Sequence, residues 1–337
     1  MLSDNITVNE QGHIVFAGYD TTSLAHKYGT PLYLMDETRI RKNCRIYTQA
    51  FREAFGENGL VLYASKANCF QRIYEIIKEE GLGVDVVSMG EIYTAVKAGF
   101  PLERAYFHSN NKTDEDIDFA MDHKVGYFVV DCIEELTAIE AAAASRGLSQ
   151  KVLLRLTPGI DPHTYEAIST GKVDSKFGSA IETGQAEEIT KYCMSLPHVQ
   201  LMGFHCHIGS QVFDAETYLR SSVIMLDFIA KMQRDLGLET KELDLGGGFG
   251  VRYTDDDPSL EMEQEIQKIA EVIAKTTQEL GITPPAIRME PGRSIVADAG
   301  LTLYTAGSVK RIPGYKNYVS IDGGMTDNPR FALYGAK

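Results

Sequence analysis

LVLYASKANCFQRIYEIIKEEGLGVDVVS, residues 60–88, reads as a strand, a helix and a second strand. LVLYAS (60–65) is apolar nearly throughout, as expected for a parallel strand covered on both faces. RIYEIIKEE (72–80) sets Ile73, Ile76, Ile77 and Glu80 at helical turn spacings, and Gly81 can end the helix. GVDVVS (83–88) then returns to an apolar run.

The same alternation continues down the chain. Further strand candidates are RAYFHS (104–109), VGYFVV (125–130), KVLLRL (151–156), QLMGFHCH (200–207), KELDLG (241–246) and AIRMEP (286–291). Helical stretches separate them. Ser88 with Glu91, and Asp131 with Glu134, are spaced as capping boxes at two helix starts. SSVIMLDFIAKMQRDLG (221–237) and MEQEIQKIAEVIAKTTQEL (262–280) are long amphipathic helices. Eight strand–helix units in series predict an α/β fold, a closed (β/α)8 TIM-like barrel over 36–294, close to the typical barrel size of about 250 residues. A doubly wound sheet is the alternative topology. The longest insertion, 157–199, is expected to be functional, since long loops at a barrel mouth usually are.

The flanks do not fit the barrel. Residues 1–35 hold ITV, HIVF and PLYLM, and residues 295–337 hold LTLYTAGSVKRI and YKNYVSIDGG. These short extended runs predict a second, mostly β domain built from both ends of the chain.

Composition narrows the function class. The 337 residues are 44% hydrophobic, enough for a sizeable core. The net charge of -14 repels phosphate backbones and argues against a nucleic-acid partner. MLSDNITVNEQGHIVF lacks the pattern of a secretory signal, and no run approaches the length of a membrane span. The cysteines Cys44, Cys69, Cys132, Cys193 and Cys206 are odd in number and irregularly spaced. They fit reduced thiols and a cytoplasmic location better than a disulfide framework.

In such a barrel the chemistry gathers at the C-terminal ends of the strands. Those ends give Lys66, Asp85, Asn110, Arg155, His205 with His207, Gly246 to Gly248, and Glu290. Lys66 has two readings: a lysine capping the barrel mouth, or a desolvated amine that forms a Schiff base with a carbonyl. Gly246, Gly247 and Gly248 follow the seventh strand, where a barrel commonly binds phosphate, though a glycine run also makes a tight turn. Their spacing is not that of a dinucleotide fingerprint. Glu290 can face a ring nitrogen or simply pair with Arg293. His205 and His207 share a face if the strand continues through them. Cys206 would then point away, so a metal site is not expected. Arg155, Asp161, His163, Asp174 and Lys176 form a polar group in sequence, either a substrate loop or a solvated one.

YASKAN, GVDVVSMGE, STGKVDSKFG, GFHCHIGSQ, LDLGGGFG, EPGRSIVADAG and DGGMTDNPRFALYGA occur in that order along nearly the whole chain. Together they resemble the pyridoxal 5′-phosphate (PLP) dependent decarboxylases with an alanine-racemase-like barrel, specifically the diaminopimelate decarboxylases. The resemblance implies PLP held as a Schiff base on Lys66, with His207 stacked on its ring. It implies Ser210 and Gly246 to Gly248 at the phosphate, Glu290 at the pyridine nitrogen, and Asp85 near the cofactor edge. Arg293 would lie near phosphate and substrate, and Arg330 and Tyr334 at the substrate's distal carboxylate. Arginine suits that task through its bidentate fork. The implied reaction converts meso-diaminopimelate to L-lysine and carbon dioxide, in a homodimer. An ornithine, lysine or arginine decarboxylase of the same fold is the alternative, disfavoured because its substrate ends in a cation. The family also carries a Cys–Glu motif and a tyrosine beyond the DGGMTDNPRFALYGA motif. None of the five cysteines stands in that motif, so this stretch alone is expected to bind cofactor better than it catalyses.

Overall fold

The structure is a computed structural model and describes residues 4–160, 171, 173 and 175–335. It divides into a smaller unit, Met1–Lys42 with Val251–Pro258 and Val296–Lys337, and a larger one, Asn43–Gly250 with Ser259–Ile295.

The smaller unit begins with β1 (Ile6–Val8), β2 (Ile14–Phe16) and β3 (Tyr19–Asp20), paired antiparallel in that order. Asp20 then caps a helix, Thr21–Tyr28, its carboxylate accepting from Ser23 N at 2.9 Å. Reading this flank as extended runs alone misses that helix. It buries only Thr21, so it carries no apolar stripe to reveal it. β4 (Leu32–Met35) follows.

The larger unit holds β5 (Gly59–Ala64), β6 (Gly83–Val86), β7 (Ala105–Phe107), β8 (Tyr127–Val130) and β9 (Gln150–Thr157). It continues with β10 (Ser179–Ala180), β11 (Val199–His205), β12 (Glu242–Asp244) and β13 (Ala286–Met289). All eight apolar runs are strands. Pairing runs β5-β6-β7-β8-β9-β11-β12-β13 and returns to β5, parallel throughout. Ile287 opposite Gly59 closes the ring, which rules out a doubly wound sheet. β10 is a short addition beside β9.

Helices Gln71–Glu79, Met89–Lys97, Asp114–Asp122, Ile133–Arg146, Gln185–Ser195, Ala215–Leu236 and Met262–Leu280 connect successive barrel strands. Leu62, Tyr106, Val129 and Leu153 fill the barrel centre, each essentially inaccessible. A side chain of this size contributes about 1.5–3 kcal/mol when buried. Glu242 is buried beside them, accepting from Tyr106 Oη at 2.7 Å and Tyr127 Oη at 2.9 Å and pairing with Arg288 Nη2 at 3.1 Å. Two phenol donors and a guanidinium thus compensate the buried carboxylate.

Neither expected capping box closes reciprocally. Ser88 Oγ accepts from Glu91 N, and the Glu91 carboxylate accepts from Val87 N at 2.7 Å. At the other expected box, Cys132 is the capping position and makes no side-chain bond. Glu135, not Glu134, reaches back to the Asp131 amide at 3.1 Å, because the helix starts one residue later than the spacing suggests.

Back in the smaller unit, β14 (Gly300–Leu303) pairs antiparallel with β4, and β15 (Ala306–Arg311) with β16 (Asn317–Ile321). Arg39 clasps Asp298 Oδ2 through Nε at 2.8 Å and Nη2 at 2.5 Å. A short helix, Arg330–Tyr334, comes last. Among the described residues no helix is long and apolar enough to cross a membrane.

Candidate active site

The C-terminal ends of the barrel strands surround a cavity of about 400 Å³, within the range of small-molecule sites. Lys66, His207, Ser210 and Glu290 line it, as do Asn110 and Arg155.

Lys66 sits in a single helical turn, Ser65–Ala67, directly after β5. Its side chain is half exposed, with Nζ 3.8 Å from Asp85 Oδ2. Asp85 is fully buried in β6, and neither carboxylate oxygen has a hydrogen-bond partner among the described residues. Burial raises its pKa, with His108 the main opposing charge and Glu290 adding to the rise.

Glu290 follows β13 at the cavity floor. Its Oε2 lies 3.2 Å from His205 Nε2 and its Oε1 2.5 Å from His108 Nε2. Burial pushes the carboxyl up, but the two imidazoles outweigh that and hold it well below the usual range. Glu290 is therefore ionised. Burial lowers the His205 pKa to about 3, against the pull of Glu290. Neutral His205 donates through Nε2, which leaves its buried Nδ1 as an acceptor without a partner among the described residues. Asp244 lies behind them, its Oδ1 accepting from Gly246 N at 2.8 Å. Burial, and then the Glu290 charge, push its pKa well up, so Asp244 keeps its proton.

His108, His205, Asp244 and Glu290 bring donor atoms within 4.8 Å of one another. Two imidazoles thus face the Glu290 carboxylate, with the Asp244 carboxyl beside them. β11 stops at His205, so the strand does not continue through His207, and both histidines line the cavity. His207 Nδ1 accepts from Gly247 N at 3.3 Å. Its surroundings, and the nearby cations Lys66 and Arg155, push its pKa well down and keep the ring neutral.

The glycine run after β12 is built for close approach. A Cβ on Gly247 would lie 2.0 Å from Glu290 O, and one on Gly248 2.0 Å from Gly209 O. Gly248 also has φ 109°, in the region that favours glycine. Across the loop, Ser210 Oγ accepts from Arg293 Nε at 3.2 Å and Nη2 at 3.1 Å, so a hydroxyl and a guanidinium converge.

The cavity residues fit a flat, phosphorylated, carbonyl-bearing cofactor. Lys66 brings an amine, Glu290 an ionised buried carboxylate and Ser210 a hydroxyl to the cavity, with Arg293 bonded to Ser210 and the glycine run bonded to His207 just beyond its lining. Glu290 Oε1 lies 2.5 Å from His108 Nε2 without the alignment of a regular hydrogen bond.

Arg330 and Tyr334 belong to the smaller unit. Arg330 opens the helix Arg330–Tyr334 with its guanidinium 3.8 Å over the Tyr253 ring, and Tyr334 ends it. Asp161, His163 and Asp174 lie outside the described residues. Arg155, of the same polar group, is half-buried with its guanidinium 4.3 Å from the centre of the Phe177 ring. The strand-end reading passed over His108 and Asp244. His108 directly follows β7, so the same rule would have found it had the strand been ended at Phe107. Asp244 lies inside the motif that the glycines dominate.

Residues 38–297 match the family model for the pyridoxal-dependent decarboxylase, pyridoxal binding domain. Diaminopimelate decarboxylase of Bacillus subtilis is 45% identical over 329 residues, 98% of this chain and 75% of its own length. That of Staphylococcus aureus is 42% identical over 333 residues, 98% of this chain and 77% of the relative. The crystal structure of diaminopimelate decarboxylase from M. jannaschii in co-complex with L-lysine superposes with a TM-score of 0.89 at 35% identity, covering 100% of this chain and 77% of that one. Lysine decarboxylase from Selenomonas ruminantium shares the fold at 20% identity, covering 98% of this chain and 78% of that one, with a TM-score of 0.80.

Proposed function

Because the chain belongs to the pyridoxal-dependent decarboxylase family and matches its diaminopimelate-specific members over nearly its whole length, we propose that it converts meso-2,6-diaminopimelate to L-lysine and carbon dioxide with PLP as cofactor. The observation that carries this is the ionised Glu290, held by His108 and His205 at the floor of a cavity that Lys66 also lines.

When bound, PLP supplies an electron sink for the pair left at Cα as the carboxylate departs. The chain supplies placement and charge. Lys66 holds the cofactor's aldehyde carbon. Glu290 keeps the ring nitrogen protonated, since a buried carboxylate this acidic favours a cationic neighbour. Neutral His207 offers a flat face to the ring. Gly246, Gly247 and Gly248, with Ser210 and Arg293, take the phosphate, and Asp85 lies toward the cofactor edge. Arg293, Arg330 and Tyr334 receive the substrate, Arg330 pairing with the carboxylate that is not lost. The barrel of 36–294 serves the cofactor, and 1–35 with 295–337 form parts of a discontinuous β domain. The working enzyme is a cytoplasmic homodimer, which equilibrium sedimentation tests.

The deciding assay offers the PLP-loaded protein meso-diaminopimelate, lysine and ornithine in parallel and measures carbon dioxide release. Release from meso-diaminopimelate well above the other two is expected. Faster release from lysine or ornithine would overturn the substrate assignment.

A further inference from the structure

The loop after β7 supplies His108, Ser109 and Asn110 to the cavity wall. It turns sharply, with Ser109 at φ 130°, a conformation that side chains other than glycine rarely adopt. Lys112 holds that turn. Its side chain is fully buried, and its three hydrogens go to Ser109 O at 3.1 Å, Val129 O at 2.8 Å and Glu135 Oε1 at 2.7 Å. Glu135 is buried as well, and its second oxygen accepts from Asp131 N at 3.1 Å. One ion pair thus ties the loop after β7 to the end of β8 and to the first turn of helix Ile133–Arg146.

Stability alone does not call for a cation here. A buried ion pair holds a fold no better than apolar packing of the same volume, and losing one partner is severe. What an apolar pair cannot do is grip the Ser109 carbonyl. That carbonyl is one residue past His108, whose Nε2 lies 2.5 Å from Glu290 Oε1 and 3.8 Å from Asp85 Oδ1. The His108 ring also meets His205 edge-on, with centroids 4.8 Å apart. The turn that Lys112 grips thus lies directly behind the residue that meets Glu290.

We propose that the Lys112–Glu135 pair is a positioning element of the active site, pinning Ser109 so that His108 is kept against Glu290. It rests on the reading above that Glu290 faces the cofactor.

The test uses the PLP-loaded protein, its Lys112→Met and Lys112→Met/Glu135→Leu variants, and His108→Gln. Thermal midpoint, PLP dissociation and the ratio of the cofactor's absorption bands at one fixed pH are measured. Lys112→Met should lose stability. The double variant should regain it, because no buried charge is orphaned. Both should bind PLP on the order of tenfold more weakly, with a changed band ratio, as expected when a supporting contact is lost. His108→Gln keeps the pair intact and should reproduce the spectral change with little loss of stability. A double variant with parental stability, affinity and spectrum would reduce the pair to packing and overturn the proposal. So would an unchanged spectrum in His108→Gln, whatever the folding of the other variants. If the parent itself forms no borohydride-stable PLP adduct at Lys66, the cofactor reading is what fails.

Discussion

Gly247→Ala isolates the steric demand of the glycine cradle. Gly247 does not occupy the left-handed region, so alanine is not strained by its backbone angles. The added methyl would lie 2.0 Å from Glu290 O and 2.7 Å from Glu290 C, where real contacts essentially never fall below 3.0 Å. Either the loop or the Glu290 backbone must therefore move by about 1 Å or more. A misplacement of about 1 Å can lower a rate about a hundredfold. Overpacking of this kind typically removes about 1–3 kcal/mol of stability. Whichever side yields, the cradle or Glu290 is displaced by the one substitution, so PLP affinity and turnover should fall together. Gly126→Ala is the matched control. Its methyl would lie 2.2 Å from Glu103 O, a similar collision just before β8 at the opposite end of the barrel. Calorimetric melting, PLP titration and carbon dioxide release are measured on both variants and the parent. Gly126→Ala should lose stability while the folded protein keeps its cofactor affinity. If Gly247→Ala matches the parent in affinity and turnover, or if both variants lose affinity alike, the cradle does not act as described.

Lys66→Ala should abolish the borohydride-stable adduct while leaving weak, phosphate-driven PLP binding, as read by mass spectrometry and equilibrium dialysis; an adduct that persists at another lysine would remove Lys66 from its role. Arg330→Leu should raise KM for meso-diaminopimelate by about tenfold to a hundredfold, the loss of a charge-assisted bond worth about 1.5–3 kcal/mol, with less effect on lysine; equal losses on both substrates would show that Arg330 does not read the distal carboxylate. Acid should destabilise the protein partly through His205, whose pKa is lowered from 6.5 to about 3 by burial. Between those values the unfolded chain takes up a proton that the folded one refuses, so stability falls as pH drops, by about 1.4 kcal/mol per pH unit where the difference is a full proton. His205→Asn should flatten that part of the profile in denaturant titrations, and an unchanged slope would contradict a neutral buried His205.

The barrel was legible because its strands are buried on both faces and its helices on one. Runs such as LVLYAS and VGYFVV, spaced by amphipathic helices, leave few architectures able to cover that much apolar surface. Chain order then placed Lys66, the glycine run and Glu290 at strand ends, where backbone geometry alone brings side chains to one mouth. Helix Thr21–Tyr28 escaped because it buries almost nothing and so leaves no periodic trace. The sequence by itself thus determined the α/β repeat and most of the residues at the barrel mouth. Only the tertiary structure decided closure, through the pairing of Ile287 with Gly59, because parallel pairing joins strands far apart in the chain. Only it decided the ionisation around Glu290. His108, His205 and Asp244 come from three different strand ends, and a carboxylate's charge depends on which donors reach it and how little water does.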